Sequence, residues 1–381
     1  MKSILIISFS NLDKDPRVNR QIRFLNSRYR ITCIGFSDPA IKGVEFIPTK
    51  YARSLTQKVI EAIQLKTGLF EQYYWGMNHV KDAYQKSEGR HFDLIIANDL
   101  SALPLAEKLS QGTAGVIFDA HEYAPREFED MFIWRFFFRK YTEFMCAKYI
   151  PEVDGMMTVC QGIADEYEKN YTITPVVIMN SPYYHEIRPS RTSPEKIRMI
   201  HHGIAIPSRR LELMIEALKF LDSRYTLEFM LMPSDPAYME KLRKYAQKYP
   251  NLSFREPVNM QELPNFLNSY DIGIYILEPS SFNNEHALPN KLFEFIQARL
   301  AVVIAPSPEM ARLVRQFDCG IVADDFSPRS VADKLLELTQ EKLDYYKEQS
   351  GIAAKQLCFE QNGKRMLELV EKSLLSSKSV K

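Results

Sequence analysis

Apolar residues come in short unbroken runs, and amphipathic helical stretches separate them. In the first half the runs are "SILIISF" (3–9), "ITCIGF" (31–36), "DLIIAN" (93–98), "GVIFDA" (115–120), "GMMTVC" (155–160) and "PVVIMN" (175–180). Continuous rather than alternating apolarity is what strands covered on both faces require. Between the first two runs lies "DPRVNRQIRFLNSRY". There Asp15 can cap a helix, Pro16 suits its first position, and Val18, Ile22 and Leu25 recur at i, i+4, i+7. Strand, helix, strand, repeated, predicts a parallel sheet with right-handed crossovers.

The pattern breaks in "NSPYYHEIRPSRTSPEK" (180–196), whose Pro, Ser and charge mark a linker. It restarts with "IRMIHHG" (197–203), a helix predicted over 209–222 and capped by Ser208, then "TLEFMLM", "DIGIYIL", "AVVIAP" and "GIVAD". A later helix opens at "SPRSVADKLLELT", with Ser327 as cap and Pro328 as first residue. "LCFEQNGKRMLELVEKSLL" reads as a final helix. The expected fold class is α/β: two Rossmann-like, doubly wound domains facing across a cleft, residues 1–187 and 188–355, followed by a helical segment 356–381. In such sheets ligands bind outside the carboxyl ends of the strands.

At 381 residues the chain is too long for one ordinary core, in keeping with two domains. A net charge of +1 lacks the basic excess of a nucleic-acid binder, so no nucleic-acid partner is expected. The five cysteines are scattered, without zinc or disulfide spacing, and suit a reducing cytosol. The start "MKSILIISFS" reads as a buried strand rather than a signal peptide. No run approaches the roughly 20 apolar residues that span a bilayer. "MFIWRFFFRKYTEF" (131–144) mixes aromatic and basic residues as interfacial helices do. A helix packed within its own domain is the preferred reading, and peripheral membrane contact stays open.

Two stretches at strand ends carry candidate chemistry. In "HHGIAIPSRR", Gly203 lets backbone approach a ligand, a helix start offers free N–H groups, and Arg209 and Arg210 add charge. A glycine turn beside two surface arginines explains the same residues equally well. In "EHALPNKLFEF" (285–295), Leu292, Phe295 and Ile296 share one helical face while Asn290, Lys291 and Glu294 gather on another. A solvated ion-pair face is the commoner fate of such charges. A helix start holding a diphosphate, with a carboxylate for two vicinal ribose hydroxyls, is the alternative. No GxGxxG or Walker pattern is present, so NAD and ATP are not indicated. "DKD" (13–15) resembles a metal-holding Asp-x-Asp, but it immediately precedes Pro16, where a capping Asp is expected; no metal is assigned.

These motifs together resemble a family 4 glycosyltransferase, a retaining enzyme of GT-B fold. The residues that carry the resemblance are "DPRVNRQIRFL", "NDLSALPLAEKL", "FDAHEYAP", "MMTVCQGIADEY" with "VIMNSP", "HHG…SRRLELMIEAL" and above all "ALPNKLFEFIQARLAVVIA". The resemblance spans nearly the whole chain. It implies a hexosyltransferase moving a hexose from a UDP- or GDP-sugar to a saccharide or lipid-linked saccharide, in cell-surface polysaccharide assembly. No cofactor or metal is implied beyond the nucleotide-sugar co-substrate. The setting would be cytoplasmic, at or near the inner face of the plasma membrane.

By the same resemblance Glu294 binds the donor ribose, Gly203 and Arg209 lie beside its phosphates, and Asn290, Lys291 and Arg210 complete the donor site. The amino-terminal domain would bind the acceptor, with Asp15, Arg17, Asp99, His121 and Glu122 near the cleft, His121 orienting acceptor or sugar. The last helix would cross back to that first domain. Two positions depart from the family. His286 stands where many members have a first glutamate, which leaves Glu285 or His286 to meet the transferred sugar, and Asn98 stands where histidine is common. A nucleotide-sugar 2-epimerase of the same fold and a catalytically weak sugar-nucleotide binder are the alternatives.

Overall fold

Each apolar run becomes a strand, and two further strands appear that the pattern did not predict. In the first half the strands are β1 (Ser3–Ile7), β2 (Arg30–Gly35), β3 (Glu45–Pro48), β4 (Leu94–Asn98), β5 (Gly115–Ala120), β6 (Gly155–Thr158) and β7 (Val176–Val177). In the second they are β8 (Ile197–Ala205), β9 (Tyr225–Pro233), β10 (Leu252–Arg255), β11 (Ile272–Tyr275), β12 (Ala301–Ile304) and β13 (Gly320–Val322). The computed structural model describes residues 1–376. The unforeseen strands, β3 and β10, are sheet edges with several exposed positions. An edge strand is short and need not be apolar throughout, so it lacks the signature of a buried run.

Both sheets are parallel and share one topology. The first runs β3-β2-β1-β4-β5-β6-β7 and the second β10-β9-β8-β11-β12-β13. This is the Rossmann order 3-2-1-4-5-6 in each sheet, with β7 added beyond β6 in the first. Chain direction across the sheet reverses between β1 and β4, and again between β8 and β11. Loops diverge at those points, so the carboxyl ends of β1, β4, β8 and β11 are where a ligand site is expected.

By internal contacts one unit comprises Met1–Met179, Ser281–Asn283 and the chain from Asn362 onward; the other comprises Asn180–Ser280 and Asn284–Gln361. The second unit thus begins ahead of the boundary expected at 188. Within the Pro- and Ser-rich stretch, Pro182 accepts a bond from the Phe359 N–H at 2.8 Å, and the His185 N–H donates to the Gln297 side chain at 3.1 Å. Irregular backbone here is fastened to its unit rather than left as a free tether.

Local sequence explains most helix boundaries. Asp15 caps the Pro16–Asn26 helix by accepting from the Val18 N–H, and Ser327 caps Pro328–Leu336 through the Ser330 N–H. The helix expected over 209–222 is a correction. Pro207–Arg209 forms a 3-10 turn, Arg210 adopts φ +44°, and the α-helix runs only Glu212–Ala217 before a second 3-10 turn. Ser208 therefore caps nothing; the Leu211 N–H donates instead to the Tyr238 hydroxyl at 2.8 Å. Residues 131–144 also divide, into helices Phe132–Phe137 and Arg139–Tyr149. Trp134 is buried there, but Phe132, Ile133 and Phe136 are exposed, so the segment is only partly packed into its unit.

One close approach fixes the helix that carries Lys291 and Glu294. A Cβ on Gly273 of β11 would meet the Phe295 ring carbons at 2.2–2.6 Å, so only glycine lets the Asn290–Gln297 helix lie this near the sheet. We predict that Gly273→Ala destabilises the second unit by about 1–3 kcal/mol. A chemical-denaturation midpoint equal to wild type would show that Phe295 turns aside without cost.

Candidate functional site

In the first unit a polar cluster occupies the carboxyl ends of β4 and β5. Arg17, from the first helix, lays its guanidinium against Asp119, with Nε 3.0 Å from Oδ2 and Nη2 2.5 Å from Oδ1, and its Nη1 donates to the Ile178 carbonyl at 2.7 Å. Both side chains are buried, which is tolerable because the pair is bidentate and further bonded. Gln21, one turn on, donates to Asp119 at 3.2 Å and accepts from Asn98 at 3.1 Å. His121 follows β5, with Nδ1 3.2 Å from Asp99 and Nε2 3.3 Å from the Asn98 oxygen and 3.7 Å from Asp119.

Charge sets the protonation of this cluster. Burial works against ionised Asp119, but the Arg17 guanidinium and the His121 ring overcome it and hold the carboxyl at about 2. Burial likewise opposes a charged His121, yet Asp99 and Asp119 outweigh it and raise the imidazole to about 9. His121 is therefore an imidazolium at neutral pH: it can donate hydrogen bonds but cannot act as a base. Asp99 adopts φ +63° while its N–H bonds the Asp119 carbonyl at 2.9 Å, a left-handed corner that turns its carboxylate towards His121. Burial, and then the Asp119 and Asp15 carboxylates, push Asp99 up against the pull of His121, and the 49% exposure of its side chain weakens the burial effect. Glu122 is pushed up, to about 7, by burial and then by Asp99, an effect that its exposed position also weakens.

In the second unit the convergence lies at the ends of β8 and β11. Gly203 sits at φ +131°, and a Cβ there would stand 3.1 Å from the Lys291 Nζ and 3.9 Å from an Arg209 guanidinium nitrogen. Lys291 is buried in the first turn of the Asn290–Gln297 helix. Its Nζ lies 3.2 Å from the His201 Nε2 and 4.0 Å above the Tyr275 ring. The His201 Nδ1 is 2.9 Å from the Ile274 carbonyl and must carry the ring proton, so Nε2 offers its lone pair to the ammonium. Burial, and next the Lys291 charge, hold His201 well below its usual range and keep it neutral.

This cluster is positive and lacks a full counter-charge. Burial, and then Arg209, pull Lys291 well below the normal lysine range, and Glu294 opposes them only in part. No ion pair to Arg209 occurs among the described residues. The helix dipole also disfavours a cation in the first turn. Glu294 lies one turn on from Lys291, with its side chain 13% exposed and 3.4 Å from the His202 Nε2. Burial and Lys291 depress His202 to about 3, so that contact joins a carboxylate to a neutral ring and is not an ion pair.

The predicted residues thus divide. Arg17, Asp99 and His121 come together in the first unit, with Glu122 next to His121. Asp15 is occupied as a helix cap and by the Ser10 hydroxyl at 2.9 Å. Gly203, Arg209, Lys291 and Glu294 come together in the second, where Asn290 opens the helix half-buried. Arg210 turns away into an ion pair with Glu278. Glu285 is exposed at the end of the short Phe282–Glu285 helix, and His286 is half-buried. Sequence reasoning passed over Asp119, Gln21, Asn98 as a network member, His201 and His202. A lone carboxylate in the apolar run "GVIFDA", and Arg17 with Gln21 at i, i+4, were the available signals. No metal-binding group of three or more ligands occurs among the described residues.

Residues 198–341 match the family model described as "Glycosyl transferases group 1". No curated protein is similar enough in sequence to match. Among solved structures, sucrose-phosphate synthase from Thermosynechococcus elongatus aligns with TM-score 0.72 at 11% identity, over 99% of this chain and 100% of that one. Anabaena Alr3699/HepE in complex with UDP-glucose gives 0.69 at 14%, over 97% and 100%. A glycosyltransferase from Rickettsia africae ESF-5 gives 0.68 at 13%, over 98% and 98%. At such identities the structural likeness establishes the fold, which is GT-B.

The His121 charge yields a direct prediction. The folded-state value of about 9 lies above the roughly 6.5 of a free imidazole, so its stabilising contribution is complete below about 6.5 and declines as pH rises through 9. We expect the His121 ring signals to titrate near 9 by NMR in wild type and clearly lower in Asp99→Asn. Titration of wild type near 6.5 would mean that the carboxylates do not govern the ring.

Proposed function

We propose, for a glycosyltransferase whose residues 198–341 belong to the group 1 family, that the second unit binds the diphosphate of a nucleotide sugar and the chain transfers its hexose with retention. The observation that carries this reading is the convergence of two basic side chains, Lys291 and Arg209, on Gly203 at the carboxyl end of β8. A diphosphate supplies the charge that the site lacks, and the Gly203 backbone leaves room for it. Glu294, at the same helix face, is an acceptor for two ribose hydroxyls. That HepE was solved with UDP-glucose supports a UDP-sugar as the first donor to test.

The chemistry follows from those charges. The bond between the sugar C1 and the diphosphate oxygen breaks, and the electron pair leaves with the phosphate, where Lys291 and Arg209 stabilise it. An acceptor hydroxyl adds to C1 from the same face, and its proton passes to the departing phosphate oxygen. Retention results, with no enzyme nucleophile required. The first unit takes the acceptor, a saccharide or lipid-linked saccharide of cell-surface polysaccharide assembly, on the cytoplasmic side. His121 enters as a cation that donates to an acceptor or sugar oxygen, with Asp99 and Asp119 keeping it charged; Arg17 is a positioning residue behind Asp119. His286 or Glu285 meets the transferred hexose.

Calorimetry with UDP and GDP, each tested alone, decides the donor assignment. Arg209→Ala is expected to weaken the preferred nucleotide about 10- to 100-fold, the value of one charge-assisted hydrogen bond. Glu294→Ala should lose affinity for that diphosphate yet leave the thermal midpoint of the free protein close to wild type, because its contact with His202 joins a carboxylate to a neutral ring. Equal affinity in both variants would remove the diphosphate from this cluster.

A further inference from the structure

The first unit carries a helix turned inside out. Along Leu55–Thr67, Leu55, Val59, Ile60 and Ile63 are 79%, 62%, 55% and 56% exposed, while Glu61 is buried and paired with Arg53. Positions 55, 59 and 63 follow at i+4, and 60 lies beside them, so the apolar stripe faces solvent. The Phe132–Phe137 helix lies against it: the Lys66 Nζ donates to the Phe136 carbonyl at 3.0 Å and sits 2.7 Å over the Phe136 ring. Phe132 and Phe136 are 69% and 53% exposed. Two segments some 70 residues apart in sequence thus build one apolar surface, which water alone does not favour.

The charges on the two helices are almost all of one sign. Lys58 and Lys66 are exposed on the first helix, whose one acid is the buried Glu61. Arg135 is exposed on the second, which has no acid, and Lys140 follows it within electrostatic reach of Lys66; the flanking acids are Asp130, before the helix, and Glu143, which is paired with Arg139. Apolar residues flanked by exposed cations are the composition of a segment lying in the headgroup region of an anionic bilayer. A second copy of the same surface would bring Lys58, Lys66 and Lys140 against their own counterparts, which is repulsive. We infer that the surface of Leu55–Thr67 and Phe132–Phe137 docks on an anionic lipid bilayer, with the aliphatic and phenyl groups in the headgroup–acyl boundary and the cations against lipid phosphates. No helix among the described residues is long and apolar enough to cross a membrane, so the attachment is peripheral.

Flotation of the full chain with vesicles of equal parts phosphatidylglycerol and phosphatidylcholine, against pure phosphatidylcholine, tests this. Wild type should float with the anionic vesicles, and added salt should release it. Val59→Glu with Ile63→Glu should lower the bound fraction roughly tenfold or more. Lys66→Glu with Lys140→Glu should reduce anionic binding to the level of neutral vesicles. Because these side chains are exposed, thermal midpoints should stay near wild type; if the α-helical double variant unfolds, Phe132→Ser carries the same expectation. Wild type that stays unbound at low salt, or variants that float equally well, would overturn the proposal. So would a dimer in sedimentation velocity that the Val59→Glu, Ile63→Glu variant dissociates, because the surface would then belong to a second copy.

Discussion

The second unit depends on one ammonium group that the fold buries without a full counter-ion. Lys291 is held between a histidine lone pair and a tyrosine face. Neither partner carries negative charge, and Arg209 adds a like charge nearby. Burying an ion this way is expensive unless something compensates. The surrounding residues make it tolerable rather than comfortable: His201 is kept neutral by its bond to the Ile274 carbonyl, and Gly203 leaves the approach open.

The first unit solves the opposite problem. Arg17, Asp119, His121 and Asp99 bring two cations and two anions to neighbouring strand ends, so the cluster is balanced before any ligand arrives. Its members are cross-bonded by Gln21 and Asn98, which leaves little orientational freedom. A balanced network has no strong pull on a charged ligand, and it suits recognition of neutral hydroxyls by fixed donors and acceptors. The two units share a strand order but differ in electrostatics, one cluster balanced and the other rich in cationic side chains.

How far this could be read from residues alone depended on the range of the signal. Strand runs, the Asp15 and Ser327 caps and the two-sheet plan are local and were legible. The segment after Ser208 was misread because a proline and two arginines look like a helix start. The actual geometry is decided by Arg210 in the left-handed region and by Tyr238, a residue from the next helix, at the Leu211 N–H. His201 was invisible for a related reason. Its role comes from β11 and from the Asn290–Gln297 helix, some 70 and 90 residues away. Arg210 failed as a site residue because Glu278, on a different loop, claims it.

The same contrast of local and distant determinants governs the exposed stripe on Leu55–Thr67. Its sequence, "LTQKVIEAIQLKT", reads as an ordinary amphipathic helix, and local pattern says only that one face is apolar. Which face turns inward is set by tertiary partners: Arg53 draws Glu61 in, and Lys66 reaches over to Phe136. A buried acid and exposed aliphatics reverse the usual preference, and folding accepts this only where the inner face gains enough from Leu65 and the Arg53–Glu61 pair. The reversal is therefore specified by contacts rather than by lack of a better option.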